Sequence, residues 1–254
     1  MNILVLSDLH MDPRDTFGTF QWHERDLIDQ IEQTRRRYGV DKVVLNGDIF
    51  ELYKYKYGEI ARANPSLVSY LRGPGFVYIK GNHDIVNQFG LDFLDIVNSS
   101  GQRIHIEHGH EADWLNGTAA GRCISRYALS GLKALSRSRH LMKLYFRVVE
   151  FDDQINRVPK TYNTLKYLTY ALRLLKDNDV VILAHTHKLE SHHTYYLNKK
   201  KRYLNCGSCS LGRFQAIVMD TETLDYELIK IESKSNILRQ VPRVVGDNIL
   251  TCTA

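Results

Sequence analysis

Apolar positions in this chain follow two rhythms. Short unbroken runs come first. Asn2 to Ser7 reads as a strand buried on both faces, as in a parallel sheet, Asp179 to Ala184 as another buried strand, and Val43 to Leu45 and Phe76 to Ile79 as short apolar strands. Arg103 to Glu107 alternates and reads as a further strand. The second rhythm has helical spacing. His23 to Arg37 places Leu27, Ile28, Ile31 and Thr34 on one side, with a basic end and Gly39 as a stop. Ile60 to Leu71 predicts a helix interrupted near Pro65, and Leu91 to Val97 a short helix.

From Trp114 to Lys176 helical spacing takes over. Ile124, Tyr127, Ala128, Leu132 and Leu135 form one set. Leu141, Leu144, Tyr145, Val148 and Val149 form a second, and Leu165, Leu168, Leu172 and Leu175 a third. The expected organisation is a core of residues 1–113 and 177–254 interrupted by a helical insertion, 114–176. After it, Tyr195 to Asn205 reads as a hairpin turning at Lys199–Lys201. Ala216 to Met219 and Tyr226 to Ile231 complete a second, antiparallel-type sheet, and 233–254 read as a surface tail.

Length and composition, 254 residues of which 43% are hydrophobic and 25% charged, fit a globular protein with a substantial core. No apolar run approaches the ~18 residues of a membrane span. The run Ile3 to Leu6 stops at Asp8, too short for a signal peptide, so a cytoplasmic location is expected. Charge changes the picture more. The insertion carries 12 basic and three acidic side chains, so it is +9 in a chain of +5, and the remainder is −4. Arg122, Arg126, Lys133 and Arg137 fall in one narrow helical stripe opposite the apolar face, a candidate anion-binding rim. Cys206 and Cys209 form a lone C-x-x-C, read as small residues in a tight turn.

The candidate chemistry sits where the runs stop. Asp8 and His10 follow the first, Asp48 the second, and Asn82, His83 and Asp84 the third. His108 follows the alternating strand and His185 with His187 the last run. In an extended chain residues i and i+2 share a side, so Asp8/His10 and His185/His187 each converge on one point. Ligands of α/β sheets bind beyond the carboxyl ends of strands. An amide oxygen can ligate a hard cation, an imidazole can donate a proton, and a carboxylate can fix its tautomer. Mixed oxygen and imidazole donors suit Mn, Fe or Zn. Two such ions ~3.5–4 Å apart clamp both oxygens of phosphoryl transfer and activate a water.

These motifs, Asp8-Leu9-His10, Gly47-Asp48, Gly81-Asn82-His83-Asp84, His108-Gly109 and Ala184-His185-Thr186-His187, resemble in order those of the calcineurin-like metallophosphoesterases. Ala184 stands where glycine is usual. The resemblance implies a four-layered α/β/β/α sandwich. It implies Asp8, His10 and His187 on a first metal, Asn82, His108 and His185 on a second, and Asp48 bridging. It also implies His83 as proton donor or charge stabiliser, oriented by Asp84. The cofactors implied are two divalent ions, with Mn the first choice and Fe or Zn compatible. The 77 positions from His108 to His185 are similar to the helical lid of the UDP-2,3-diacylglucosamine pyrophosphohydrolases. Those enzymes place arginine where this chain has His83, and tend to have aspartate at the place of His110.

The expected activity is metal-dependent hydrolysis of a phosphate ester or diphosphate, the substrate a small phosphorylated molecule such as a nucleotide-sugar, or a lipid-linked diphosphate. The insertion would then touch a membrane peripherally. The competing readings are a nuclease or phosphodiesterase that holds a nucleic-acid backbone on the basic insertion, and a non-catalytic scaffold.

Overall fold

The computed structural model describes residues 1–14, 18–86, 89–113, 117–135 and 161–231, with the backbone alone at 125, 128–130, 132–135 and 161–164. The expected set from Leu141 to Val149, Arg137 and the tail at 233–254 lie outside the described residues.

Two five-stranded sheets make the frame. The first runs β1 (Asn2–Leu6), β2 (Lys42–Asn46) and β3 (Phe76–Ile79) in parallel, and then adds β9 (Phe214–Asp220) and β10 (Tyr226–Ile231) in the order β10-β9-β1-β2-β3. The second has the order β4-β5-β6-β8-β7. Its members are β4 (Phe93–Val97), β5 (Arg103–Glu107), β6 (Val180–Leu183), β7 (Leu189–Tyr196) and β8 (Lys199–Cys206).

The sheets face each other over one apolar layer. Ile3, Val5, Val44, Ile79 and Ile217 from the first meet Ile104, Ile106, Val180, Ile182 and Leu204 from the second. Because every second residue of a strand points the other way, Leu4, Leu6, Val43 and Leu45 are left for the outer face. There α1 (Glu24–Tyr38), α2 (Tyr57–Ala63) and α3 (Pro65–Leu71) cover them with Leu27, Ile31, Ile60 and Leu67. The outer face of the second sheet offers Val181, Leu183 and Tyr203 to Ala171 and Leu175, at the end of a helix that spans Thr161–Leu174. The order of layers is α/β/β/α, as expected. The helix Thr161–Leu174, labelled α5, is thus an outer layer of the sandwich. It follows α4 (Ala119–Leu135) in the segment expected as an insertion.

Four expectations are corrected. Leu91 to Val97 is not a helix: Phe93–Val97 is β4, paired antiparallel with β5 from Phe93↔Glu107 to Val97↔Arg103. Leu94 and Ile96 pack inward while Phe93, Asp95 and Val97 are exposed, a two-residue period that a run this short does not distinguish from a helix. Strands β9 and β10 do not extend a second sheet. β9 pairs with β1, Ile3 opposite Met219, so residues 214–231 return to the first sheet. The hairpin turns at Leu197 and Asn198, both with positive φ, and Lys199–Lys201 belong to β8. His192 and His193, expected in a loop, lie on β7. The expected break near Pro65 is real, with Pro65 opening α3 at a position where its missing N–H costs nothing.

Among the described residues no helix is long and apolar enough to cross a membrane.

Candidate metal centre

All seven expected donor residues sit where chains leave the carboxyl ends of β1, β2, β3, β5 and β6. Convergence does not come from extended backbone. β1 ends at Leu6 and β6 at Leu183, before the donors. Asp8, His10, Asp48, His185 and His187 instead have φ of 51, 48, 53, 66 and 57°. Left-handed backbone at a residue with a side chain costs about 1–3 kcal/mol each and persists where surrounding structure over-determines it. The surroundings here are specific. Asp8 N–H donates to Gly47 O at 3.1 Å and His10 N–H to Asp48 O at 2.9 Å, lacing the β1 and β2 exits together.

The side chains form triads. Asp8, His10 and His187 make one and Asp48, His108 and His185 another, each with one donor atom per residue and all within 4.8 Å. In the first, Asp8 Oδ1 lies 3.1 Å from His187 Nε2 and 3.7 Å from His10 Nε2, and the two nitrogens are 3.4 Å apart. A triangle with these edges is what three donors at ~2.1 Å from one ion span. In the second, His108 Nε2 lies 3.3 Å from Asp48 Oδ2. Asp48 Oδ2 also lies 3.9 Å from His10 Nε2, so one oxygen faces both triads. A third grouping, His10, Asp48 and His83, overlaps the first two.

These residues fit a pair of ions on a direct observation. Asp8 Oδ1 and His108 Nε2 are buried and accept or donate no hydrogen bond, although opposite groups lie within 3.3 Å. Buried polar atoms are nearly always hydrogen bonded. Atoms that converge without pairing are aimed at a shared point. The other ring nitrogen of His108 donates to Asn46 O at 2.8 Å, which turns the Nε2 lone pair to the site. Asn82 is buried beside Asp48: the next residue, His83, donates its N–H to Asp48 Oδ1 at 2.8 Å. A side chain at Gly81 would strike the Asp48 carboxylate, and one at Gly47 would strike the His108 ring, so both motif glycines are there for close approach.

Charge is balanced inside the cluster. Burial pushes the Asp8 carboxyl up, but His187 and His10 outweigh it and hold Asp8 well below the usual carboxylate range. Burial pushes His108 down, but the Asp48 carboxylate outweighs it and raises His108 to about 9. Burial and the charge of His108 lower His185 to about 3. Metal ligation needs neutral imidazole. Burial also lowers His10, but Asp8 and Glu51 outweigh it and hold His10 well above its ordinary value, so metal uptake at pH 7.5 must displace protons from His108 and His10, while His185 has none to lose. The expected result is net proton release, and an affinity that rises with pH until about 9. Titration calorimetry in two buffers of different ionisation enthalpy measures it; equal heats in both would refute the assignment of His108.

One expected role is corrected. The carboxylate on His83 is that of Glu51: Glu51 Oε1 lies 2.8 Å from His83 Nδ1. Asp84 cannot serve there because its oxygens accept the backbone N–H groups of Gly81 (2.7 Å), Ile49 (2.7 Å) and Phe50 (3.2 Å), and the Tyr78 hydroxyl. Asp84 braces the turn after β2 that presents Asp48. Glu51 is 2% exposed and also meets Lys54 Nζ at 3.3 Å and His10 Nδ1 at 3.5 Å. Its sequence signal is a carboxylate three residues after Asp48. The His83 ring is stacked on Tyr53, 4.3 Å between centroids, and meets the edge of His10 at 4.7 Å. Tyr53 thus borders the site, while Tyr55, two residues on, is in the core.

The walls come from the helices beyond β5. The Tyr167 ring on α5 lies 5.8 Å from that of His185. His110, buried, has its ring 5.6 Å from His108. Burial pushes His110 down to about 4 and Tyr53 up to about 12, and Arg122 on α4 is close enough for its charge to act downward on both. Arg126 is exposed, and the side chains of Lys133 and Arg137 lie outside the described residues. Cys206 and Cys209 are buried free thiols at and just beyond the end of β8.

A search of curated proteins found no match. Among solved structures, a dimetal phosphatase from Danio rerio is similar at a TM-score of 0.51 and 11% identity, covering 91% of this chain and 95% of that one. An archaeal phosphodiesterase aligns at a TM-score of 0.43 and 16% identity over 91% and 100%. Residues 1–189, from β1 through both triads, match the family model for calcineurin-like phosphoesterases, and the chain belongs to that family.

Proposed function

We propose that this phosphoester hydrolase acts on a diphosphate of a nucleotide-sugar or lipid-linked substrate, using two divalent ions, with Mn the first choice. The observation that carries the two-ion reading is the pair of adjacent donor triads, with Asp48 Oδ2 of the second facing His10 Nε2 of the first at 3.9 Å. Bound in these triads, divalent ions neutralise the charge developing on the phosphoryl group and acidify a water.

The residues divide the remaining work. Asp8, His10 and His187 hold one ion, Asn82, His108 and His185 the other. Glu51 fixes Nδ1 of His83, which leaves Nε2 to give a proton to the departing oxygen. Tyr53 keeps the ring in place. Arg122 brings a positive charge to the wall beside His110, which supports a substrate with an anionic group beyond the one attacked.

The test is a screen of the Mn-loaded protein against nucleoside diphosphate sugars, phosphomonoesters, cyclic nucleotides and single-stranded DNA. Diphosphates are expected to turn over fastest. Arg122→Ala is expected to lower kcat/KM for them about 10- to 100-fold, the worth of a charge-assisted hydrogen bond, while a small model phosphodiester is cleaved at the wild-type rate. Preferred cleavage of DNA with a steep loss of binding on added salt would instead establish the nuclease reading.

A further inference from the structure

The two oxygens of Asp8 have different surroundings. Oδ1 faces His187 and His10 and makes no hydrogen bond. Oδ2 accepts the Ser7 hydroxyl at 2.5 Å and the backbone N–H of His185 at 3.3 Å. Ser7 is fully buried, as are Asp8 and Cys206. Ser7 Oγ also lies 3.1 Å from Gly207 O and 3.2 Å from Cys206 Sγ. A hydroxyl has one proton to give and two lone pairs to offer. The carboxylate is the nearer acceptor and the stronger one, so the proton goes to Asp8. A lone pair of Ser7 Oγ is then open to the Cys206 S–H, which burial keeps protonated by pushing the thiol up to about 12 and whose other acceptor is Leu183 O at 3.3 Å.

We infer that Ser7 is a positioning residue for the first metal site: it occupies Asp8 Oδ2, so that Asp8 offers Oδ1 alone to the ion. The location supports this. Ser7 leaves β1 in the first sheet, while Cys206 ends β8 in the second. The first triad is itself split between sheets, Asp8 and His10 following β1 and His187 following β6. Ser7 and the His185 N–H clamp Asp8 Oδ2 from the two sides of that seam. Without the hydroxyl, a buried carboxylate oxygen loses its closest donor and the carboxylate is free to rotate away from the arrangement that brings Oδ1 to His10 and His187.

The inference rests on the two-ion reading, and the experiment separates the two. Mn2+ is titrated into the metal-free protein and free ion is counted by electron paramagnetic resonance. Wild-type protein is expected to take up two ions. Ser7→Ala, a folded protein by circular dichroism, is expected to lose about 10- to 100-fold in affinity at one site, the usual effect of removing a partner of a metal ligand, and to keep the other. Ser7→Thr, which retains the hydroxyl, is expected to restore it. Ser7→Ala that takes up both ions at wild-type affinity overturns the role of Ser7 and leaves the metal reading intact. So does a folded Ser7→Thr that loses as much as Ser7→Ala. Wild-type protein that binds no Mn2+ overturns both.

Discussion

Replacing Asp48 with alanine or asparagine is expected to abolish turnover, by at least about three orders of magnitude, the several kcal/mol that metal ions contribute to such a transition state. Asp48 Oδ2 lies close to both His108 Nε2, at 3.3 Å, and His10 Nε2, at 3.9 Å. Its other oxygen receives the His83 N–H. Asparagine is the sharper variant. It keeps an oxygen for that N–H and nearly the same volume beside Gly81, but removes the negative charge shared between the triads. Metal analysis after gel filtration is expected to find no more than one tightly held ion per chain where the wild type holds two. Turnover that survives in Asp48→Asn would remove the shared-oxygen assignment, whatever the metal content.

The donors were legible because each follows an apolar run short enough to be only a strand, and because aspartate and histidine at a strand end have few structural duties. How they converge was not legible. Nothing in Asp8 or His10 announces a positive φ; that backbone is laced by hydrogen bonds to segments as distant as Gly47 and Asp48. The same non-locality hid the place of β9. Ala216 to Met219 reads as a strand from its own residues, but its pairing with β1 joins positions more than 200 apart. Glu51 escaped for another reason. The motif Gly81-Asn82-His83-Asp84 supplies a carboxylate next to the histidine in sequence, and proximity in sequence suggested proximity in space. The chain turns after His83 so that Asp84 points back to the β2 exit, and the space beside the ring is filled from the β2 loop instead.

The role of Glu51 gives the second large effect. Glu51→Gln is expected to lower kcat about 100-fold or more, within the ~10²–10⁴ range of general acid catalysis. Burial pushes the Glu51 carboxyl up, but His83 and Lys54 outweigh it and hold it well below the usual range. It is therefore an anion at every pH where the enzyme would work. Glutamine can still accept the His83 Nδ1–H, but offers no charge to favour the protonated ring. Glu51 also lies 3.5 Å from His10 Nδ1, so a fall in rate could equally arrive through the first metal site. A double-mutant cycle decides between the two routes. If Glu51 acts through His83, Glu51→Gln costs little in a His83→Ala background, and both single variants keep wild-type metal content. If the losses add, or if metal is lost in Glu51→Gln, the carboxylate works through His10. Loss of metal in His83→Ala alone would make His83 a ligand, as its place in the third donor grouping with His10 and Asp48 allows.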